Sequence, residues 1–447
     1  VTSAAAVRLG VVADDVTGAC DLAGRVAEAG LAAVVTIGVP ATAEGLFPTH
    51  GDSVSGCAVI ALKSRTAPVS EAVEASARSA ERLLDAGATL LYQKYCSTFD
   101  STAEGNIGPV GDALARVVDA SAGSSVDAAI TVGTPATPAA GRTQESGLLL
   151  IDGRPLAETP MRDHPLTPMR DSDVVRLLQA QTPAAVDLIP EAVVAGGPDA
   201  VAARIREAAD SGARHLLADA RDENDLDSIA QAILTVATDR RVVAAGAAGV
   251  ATALARTAAT PGGRSAIHLP AVPDGGRLIL SGSASAATRA QNAAFDGVRI
   301  TVDPHDLASD TADAIDRLKS VVATALAGPS PVLVTATTSS DEVARIQREL
   351  GAERAAQLVE QALGELAAHA VSELGVTRLI VAGGETSGAV VARLGVGRLS
   401  VGEQVAPGVP WTTGVATAAA SKTVALLLKS GNFGDERLFT TAWETAP

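Results

Sequence analysis

Leu9-Gly10-Val11-Val12-Ala13-Asp14-Asp15-Val16-Thr17-Gly18-Ala19-Cys20-Asp21 is an apolar run, a polar turn and the start of a helical face. The run Leu9–Val12 is short enough for a strand buried on both faces of a parallel sheet. Leu22, Val26 and Ala29 follow at helical spacing, and Gly30 closes that face. Strand, sharp turn and helix in that order put a functional loop at the carboxyl edge of a parallel sheet, where open α/β folds hold their ligands. A phosphate loop is the first reading. Phosphate favours backbone N–H groups without nearby negative charge, and Asp14 and Asp15 would repel it. Adjacent carboxylates at a strand end suit general-base work or a hydroxyl-rich substrate better. The structural alternative is an Asp that caps the helix beside a solvated neighbour.

Outward from this stretch, short apolar runs alternate with helical patterns. Val34–Ile37, Ala58–Ala61 and Thr89–Tyr92 read as strands, and Ala72–Leu84 as a helix. That repetition marks βαβ units and a mainly parallel sheet. Ala129–Val132, His215–Ala218 and Val242–Ala244 continue it. Between Pro155 and Pro190 the pattern weakens, and Pro160, Pro165, Pro168 and Pro183 predict an irregular excursion over a site or interface. Thr260-Pro261-Gly262-Gly263, with Pro270, Pro273, Gly275 and Gly276 beyond it, is the linker candidate. The alternation restarts at Leu278–Leu280, Val332–Val334, an amphipathic helix Ala356–Leu374, and Leu379–Ala382. The expectation is an α/β protein of two Rossmann-like domains, residues 1–257 and 277–447. A linker at 258–276 joins them, their sheets are mainly parallel, and an active-site cleft lies between them.

The bulk properties agree. A chain of 447 residues exceeds one ordinary core, and 47% hydrophobic with 19% charged residues fits close-packed layers. With 35 basic and 51 acidic residues the net charge is −16, which argues against a nucleic-acid or anionic-membrane surface. It does not forbid an anionic small molecule, because a few cations can dominate one pocket. Val1–Arg8 lacks the basic start and apolar core of a signal peptide, and no apolar run reaches membrane length. Cys20, Cys57 and Cys96 are odd in number and without zinc or disulfide spacing, so a reducing cytoplasm is expected.

The best phosphate loop is Gly383-Gly384-Glu385-Thr386-Ser387-Gly388, which follows a strand and opens a helix. Ser281-Gly282-Ser283-Ala284-Ser285 has the same setting, and Lys429-Ser430-Gly431-Asn432-Phe433-Gly434 places a cation beside two glycines. Together the three could cradle a nucleotide, although no Walker lysine loop or dinucleotide glycine motif is present. The first domain differs in character. Lys94-Tyr95-Cys96-Ser97-Thr98-Phe99-Asp100-Ser101-Thr102 brings a cation, hydroxyls and a carboxylate to one strand end, which suits a carboxylate-bearing polyol. Lys63-Ser64-Arg65-Thr66 and Gly141-Arg142-Thr143 could add cations. Each of these, taken singly, reads more readily as a solvated or capping loop. His164 is the one histidine in a loop of interest. No paired His–carboxylate spacing suggests a protein-bound metal, and no nucleophile elbow occurs. An acidic, hydroxyl-rich domain beside a neutral phosphate-friendly one suggests phosphoryl transfer to a small acidic substrate.

These motifs resemble the four-carbon acid sugar kinase family over essentially the whole chain. The carriers are ADDVTGA from Ala13, LKSR from Leu62, KYCSTFDSTAEGNIGPV from Lys94, GR at Gly141, HPLTPM from His164, SGSAS from Ser281, AGGETSG from Ala382, APGVPW from Ala406 and LKSGNFG from Leu428. KYCSTFDST, in place of the commoner Lys-x-x-Ser-Thr-Leu-Arg-Gly loop, points to the 3-oxo-tetronate branch. The resemblance implies an N-terminal domain for the sugar acid and a C-terminal domain for ATP, with phosphate delivered to the C4 hydroxyl. By position, Ser281, Gly383, Gly384, Glu385, Thr386 and Gly431 would contact ATP, with Ser283 an additional contact. Asp14, Asp15, Lys94, Ser97 and Thr98 would line the sugar-acid side, with Arg142 and Arg65 as further cations. Asp14 or Asp15 would take the hydroxyl proton, and the residues do not choose between them. Lys429 would stabilise phosphate charge, and Mg²⁺ would be held mainly through the phosphates. Ala284 and the stretch Ala245–Gly249 depart from the family pattern, which puts one hydrogen bond at the site in doubt. D-threonate or D-erythronate kinase, and a non-catalytic two-lobed metabolite sensor, are the rival readings. A homodimer is left open.

Overall fold

The computed structural model describes residues 7–48, 56–121, 128–163, 167–259, 269–336, 339–419 and 421–447. The chain divides into two units, residues 1–266 and 267–447.

The first unit opens with β1 (Arg8–Ala13), α1 (Val16–Glu28), β2 (Ala33–Ile37), β3 (Gly56–Ala61), α2 (Val69–Asp85), β4 (Leu90–Lys94), α3 (Ile107–Ser121) and β5 (Ile130–Thr134). A small meander follows, β6 (Arg142–Glu145), β7 (Leu148–Ile151) and β8 (Arg154–Pro155). Next come α4 (Val174–Gln181), β9 (Ala185–Ile189), α5 (Glu191–Val194) and α6 (Pro198–Asp210). The unit closes with β10 (Ala213–Ala218), α7 (Glu223–Val236), β11 (Val242–Gly246) and α8 (Ala248–Ala258).

Its main sheet runs β2-β3-β1-β4-β11-β5-β10-β9, and every described pair is parallel. Helices cover both faces, so β3, β4, β5 and β11 are buried along their whole length. Small residues let the strands and their loops approach closely. A Cβ at Gly133 would lie 1.7 Å from the Ala245 carbonyl oxygen. From β1 the chain crosses out to β2, returns beside β1 as β3, and then leaves on the other side as β4. That reversal is the switch point at which open α/β sheets bind ligands. Register aligns Ala13, Ala61, Lys94, Gly246 and Thr134 at one carboxyl edge.

The stretch read as an irregular excursion after Pro155 contains α4 and β9. Asp173 caps α4 through the Arg176 N–H at 2.9 Å. The helix has only 8 residues and β9 is an edge strand between Pro183 and Pro190, so neither produces a strong period. The antiparallel meander β6-β7-β8 is tied to β10 by Asp219. Its carboxylate accepts from the Ser146 and Gly147 N–H groups, each at 2.9 Å, and from Glu191 N–H at 3.1 Å.

The second unit begins with β12 (Gly276–Ser281), α9 (Ala286–Ala294), β13 (Val298–Thr301), α10 (Pro304–Ser309), α11 (Thr311–Leu326) and β14 (Val332–Thr335). It continues through α12 (Ser340–Leu350), α13 (Ala352–Ser372), β15 (Val376–Ala382) and α14 (Gly384–Leu394). Three long strands, β16 (Arg398–Ala406), β17 (Val409–Ala416) and β18 (Lys422–Lys429), and the short α15 (Leu438–Thr441) complete it. The order is β13-β14-β12-β15-β18-β17-β16. It is parallel from β13 to β18, and antiparallel from β18 to β16. The sheet is therefore mainly parallel with an antiparallel margin that periodicity did not indicate. The motif APGVPW enters β17, whose Trp411 indole N–H donates to the Ala442 carbonyl at 3.0 Å and packs 5.9 Å from the Trp443 ring. Register aligns Ser281, Thr335, Ala382 and Lys429 at the carboxyl edge.

Helix α8 ends at Ala258 and β12 starts at Gly276, so the expected linker takes one residue from each. Residues 260–268 of it lie outside the described residues.

Candidate functional site

Asp15 ends the turn after β1 as the N-cap of α1. Its carboxylate accepts from Gly18 N–H at 3.1 Å and from the Thr17 hydroxyl at 2.5 Å. The capping alternative is thus realised for Asp15. Asp14 caps nothing. Its backbone N–H donates to the Lys94 carbonyl at 3.1 Å and its own carbonyl accepts from Ser64 N–H at 3.0 Å, which pins three sheet-edge loops together.

Arg65, from the loop after β3, reaches both aspartates. Nε and Nη2 donate to the two oxygens of Asp14 at 2.8 and 3.0 Å, and Nη2 also donates to Asp15 at 2.8 Å. Nη1 lies 3.4 Å from Asp100. Asp100 (φ 52°) and Phe99 (φ 59°) are both left-handed, a conformation that costs a non-glycine residue free energy and is held by its surroundings. Here the Phe99 ring packs edge-on against Tyr95 at 5.7 Å, and Thr167 hydrogen-bonds the Asp100 carboxylate. Asn106 donates to the Ser64 and Ala67 carbonyls at 2.7 and 2.9 Å, tying the loops after β3 and β4 together. The Lys94 amine turns under the Asp15 turn and donates to the Tyr95 carbonyl at 2.9 Å. Gly18 makes room for it, since a Cβ there would lie 2.7 Å from Nζ.

This arrangement drives the two carboxyls apart. Burial pushes the Asp14 carboxyl above its ordinary value, against the pull of Arg65 and with the help of the neighbouring Asp15 charge. Asp15 suffers the same burial. Arg65, Lys94, the Thr17 hydroxyl and the Gly18 N–H together outweigh it and hold Asp15 below the ordinary range. A split of this kind separates a proton acceptor from a fixed charge.

Asp14, Arg65, Lys94 and Asp100 line one small cavity, partly open to solvent. Ser97 and Thr98 sit on the loop after β4, Thr98 buried against Cys96 at 3.1 Å, but neither lines that cavity. Arg142 lies on β6, donates to the Ala140 carbonyl, and is not among the lining residues. His164 lies outside the described residues.

In the second unit the three glycine-rich loops leave adjacent strand ends. Gly282 and Ser283 N–H groups donate to the Ala382 carbonyl, each at 3.1 Å, and Gly383 N–H donates to the Lys429 carbonyl at 2.9 Å. Glycine is required for the close approach. A Cβ at Gly282 would lie 2.2 Å from the Thr386 hydroxyl, and one at Gly431 would lie 2.5 Å from the Ser283 hydroxyl. Gly383 has φ 123° and starts α14, which no described side chain caps. Its first N–H groups, at Gly384, Glu385 and Thr386, are the kind of donors to which an anion can bind. Ser281 is fully buried and its hydroxyl has no partner among the described residues. An unpartnered hydroxyl beside loops built of glycine fits a phosphate-bearing ligand.

Lys429, expected to stabilise phosphate charge, is turned inward beneath the loop after β18. Its side chain is fully buried, and its amine donates to the Thr288 hydroxyl at 2.8 Å and to the Gly431 carbonyl at 3.1 Å. Burial pulls its pKa down to about 7. It braces that loop from inside, with its amine directed at protein oxygens. Thr288 and Gln291, one helical turn apart on α9, complete the brace. The Gln291 amide donates to the carbonyls of Phe433, Gly434 and Asp435 at 2.9–3.0 Å. Neither residue was singled out from the sequence, although two buried polar residues at i and i+3 are a readable sign. Asp100 is readable in its motif as the carboxylate of a polyol-binding loop, but nothing local announces its left-handed turn or its place beside Arg65.

A family model described as "Sugar-binding N-terminal domain" matches residues 9–254, and one described as "Nucleotide-binding C-terminal domain" matches residues 278–439. The chain belongs to the four-carbon acid sugar kinase family. It is 41% identical to the 3-oxo-tetronate kinase of Burkholderia multivorans and 42% identical to that of Pseudomonas fluorescens, in each case over 97% of this chain and 96% of the relative. The crystal structure of a Salmonella typhimurium protein, described as a tRNA synthase, superposes with a TM-score of 0.80 at 36% identity, covering 98% of this chain and all of the other. Family membership places the Asp14 cavity in the sugar-binding unit and the three glycine-rich loops in the nucleotide-binding unit.

Proposed function

We propose that this protein is an ATP-dependent kinase that transfers the γ-phosphoryl group to the C4 hydroxyl of 3-oxo-tetronate. The observation that carries the reading is Asp14, lining a cavity of the sugar-binding unit and joined through Arg65 to the helix-capping Asp15 beside it. One carboxyl is held ionised as a cap, and the other has a raised affinity for a proton. Asp14 accepts the hydroxyl proton as the C4 oxygen bonds to phosphorus and the bond to the β-phosphate oxygen breaks. Asp15 is a positioning residue that fixes α1 and Arg65. Lys94 and Arg65 supply the positive charge near which the C1 carboxylate binds. Asp14, Asp15 and Asp100 outnumber the two cations, so an arriving carboxylate raises the proton affinity of Asp14 further.

On the nucleotide side, the α14 terminus from Gly383 to Thr386, Ser281, Ser283 and Gly431 contact the ATP phosphates. Mg²⁺ enters with the phosphates. Among the described residues no group of three or more His, Cys, Asp or Glu side chains gathers to hold a metal. The free Cys20, Cys57 and Cys96 suit the proposed cytoplasmic setting, and no described helix is long and apolar enough to cross a membrane. Light scattering of the purified chain tests the homodimer.

The deciding experiment is ADP release with ATP, Mg²⁺ and a panel of 3-oxo-tetronates, D-threonate and D-erythronate. Highest kcat/KM on a 3-oxo-tetronate is expected. Preference for D-threonate or D-erythronate would move the protein to that sister specificity. Silence on every acid, with ATP still bound, would make it a sensor.

A further inference from the structure

The cavity at the carboxyl ends of β1 and β4 is lined by two hydroxyls with no hydrogen-bond partner among the described residues. Ser76, midway along α2, is 1% exposed, and Tyr95, one residue beyond β4, is 2% exposed. A buried hydroxyl left unpaired is costly. A helical serine can usually avoid that cost by bonding back to the carbonyl four residues earlier. Ser79, one turn further along the same helix, does so, donating to Ala75 at 2.8 Å. Ser76 does not. Other polar groups of the cavity are occupied. The Gln93 amide donates to the Ile107 carbonyl at 2.8 Å, the Asn106 amide holds the Ser64 and Ala67 carbonyls, and the Ser101 hydroxyl accepts from Gln181 at 2.9 Å. Arg65 and Lys94 are directed at the aspartates and the Tyr95 carbonyl.

We infer that the Ser76 and Tyr95 hydroxyls bind the uncharged oxygens at C2 and C3 of the sugar acid, and so set which acid the enzyme accepts. This rests on the kinase reading above and extends it from the reacting groups to the groups that discriminate. The charged residues of the cavity recognise a carboxylate but do not distinguish a ketone from an alcohol. A ketone oxygen accepts hydrogen bonds and donates none, so it commits a neutral O–H to donating. A site built to bond an oxygen also discriminates against the analogue that lacks it, because its own buried group is then left unpaired.

The test uses Tyr95→Phe and Ser76→Ala in the full chain, with 3-oxo-tetronate, D-threonate and a 3-deoxy four-carbon acid as substrates. KM for the preferred acid should rise about tenfold in at least one variant. KM for ATP should stay at the wild-type value and kcat within about twofold. The preference over the deoxy acid should shrink by the same factor, because the variant has nothing left to lose there. Neither variant breaks an internal hydrogen bond, so the melting temperature without substrate should be unchanged or higher. A wild-type KM and wild-type preferences in both variants would overturn the inference while leaving the kinase reading intact. So would a fall in melting temperature that accounts for the lost activity. A wild-type protein that phosphorylates no sugar acid would instead overturn the underlying reading.

Discussion

Asp14→Asn and Asp15→Ala should fail in opposite ways. Asparagine at 14 keeps the side-chain shape and one oxygen for Arg65, and it removes the repulsion between neighbouring carboxylates. Arg65 keeps Asp15 and Asp100 as partners, so folding stability should fall by less than in Asp15→Ala. Removal of a proton acceptor should lower kcat by about 10²–10⁴-fold, equivalent to roughly 3–5 kcal/mol of barrier. Asp15→Ala removes the α1 cap, worth about 1 kcal/mol, and a charge-assisted bond to Arg65, worth about 2 kcal/mol. A loss near 3 kcal/mol lowers the melting temperature by roughly 10 °C in a unit of this size. The assay pairs steady-state ADP release with thermal melts. The pH profile adds an independent check. The acceptor must be ionised, and the Asp14 pKa is raised, so turnover should fall on acidification from above the ordinary aspartate value of 3.8. Asp14→Asn should abolish that limb. Asp15, held low, contributes stability that is present above 3.8 and lost as pH falls through its depressed value. An Asp14→Asn enzyme within about threefold of wild-type kcat, or a fully stable but inactive Asp15 variant, would refute the division of roles.

Arg65→Met strands Asp14, Asp15 and Asp100 without their shared cation and should cost about 3–5 kcal/mol. Denaturant unfolding should show the loss largest at neutral pH and relieved on acidification, as the abandoned carboxylates take up protons. Gly383→Ala forces a side chain onto a φ of 123° and within 3.0 Å of the Thr386 hydroxyl. ATP titration should show affinity lower by tenfold or more, in line with about 1–3 kcal/mol of strain, while KM for the sugar acid is kept. Lys429 titrates near 7 when folded but near 10.5 when unfolded. Across that window the unfolded chain holds a proton the folded one lacks, so stability should climb with pH at up to about 1.4 kcal/mol per unit. Unfolding curves at pH 7 and 9 should show the rise in wild type and a flatter dependence in Lys429→Met.

Much of the fold was legible because its signals are local. Leu9–Val12, Ala58–Ala61 and Leu278–Leu280 are apolar runs of strand length, and all lie in parallel strands. Helix α13, expected over Ala356–Leu374, runs from Ala352 to Ser372. The segments that were missed depend on partners far away in sequence. Strands β16 and β17 are set by antiparallel pairing with one another and with β18, so their own period is weak evidence. Helix α4 is short, and the meander is held by Asp219 from another strand.

The site divides along the same line. By itself the sequence determined which loops stand at sheet edges, because a strand, a glycine or aspartate turn and a helix are spelled by neighbouring residues. That was enough to separate an acidic loop after β1 from the phosphate-friendly loops after β12, β15 and β18. Only the tertiary structure decided what each charge faces. It set Arg65 on Asp14, 51 residues away, and capped α1 with Asp15. It also buried Lys429 against Thr288, 141 residues away, where the sequence pointed to a phosphate. Strand order and register bring these groups together, and the resulting burial and pairing separate the proton affinities of two adjacent, chemically identical carboxyls.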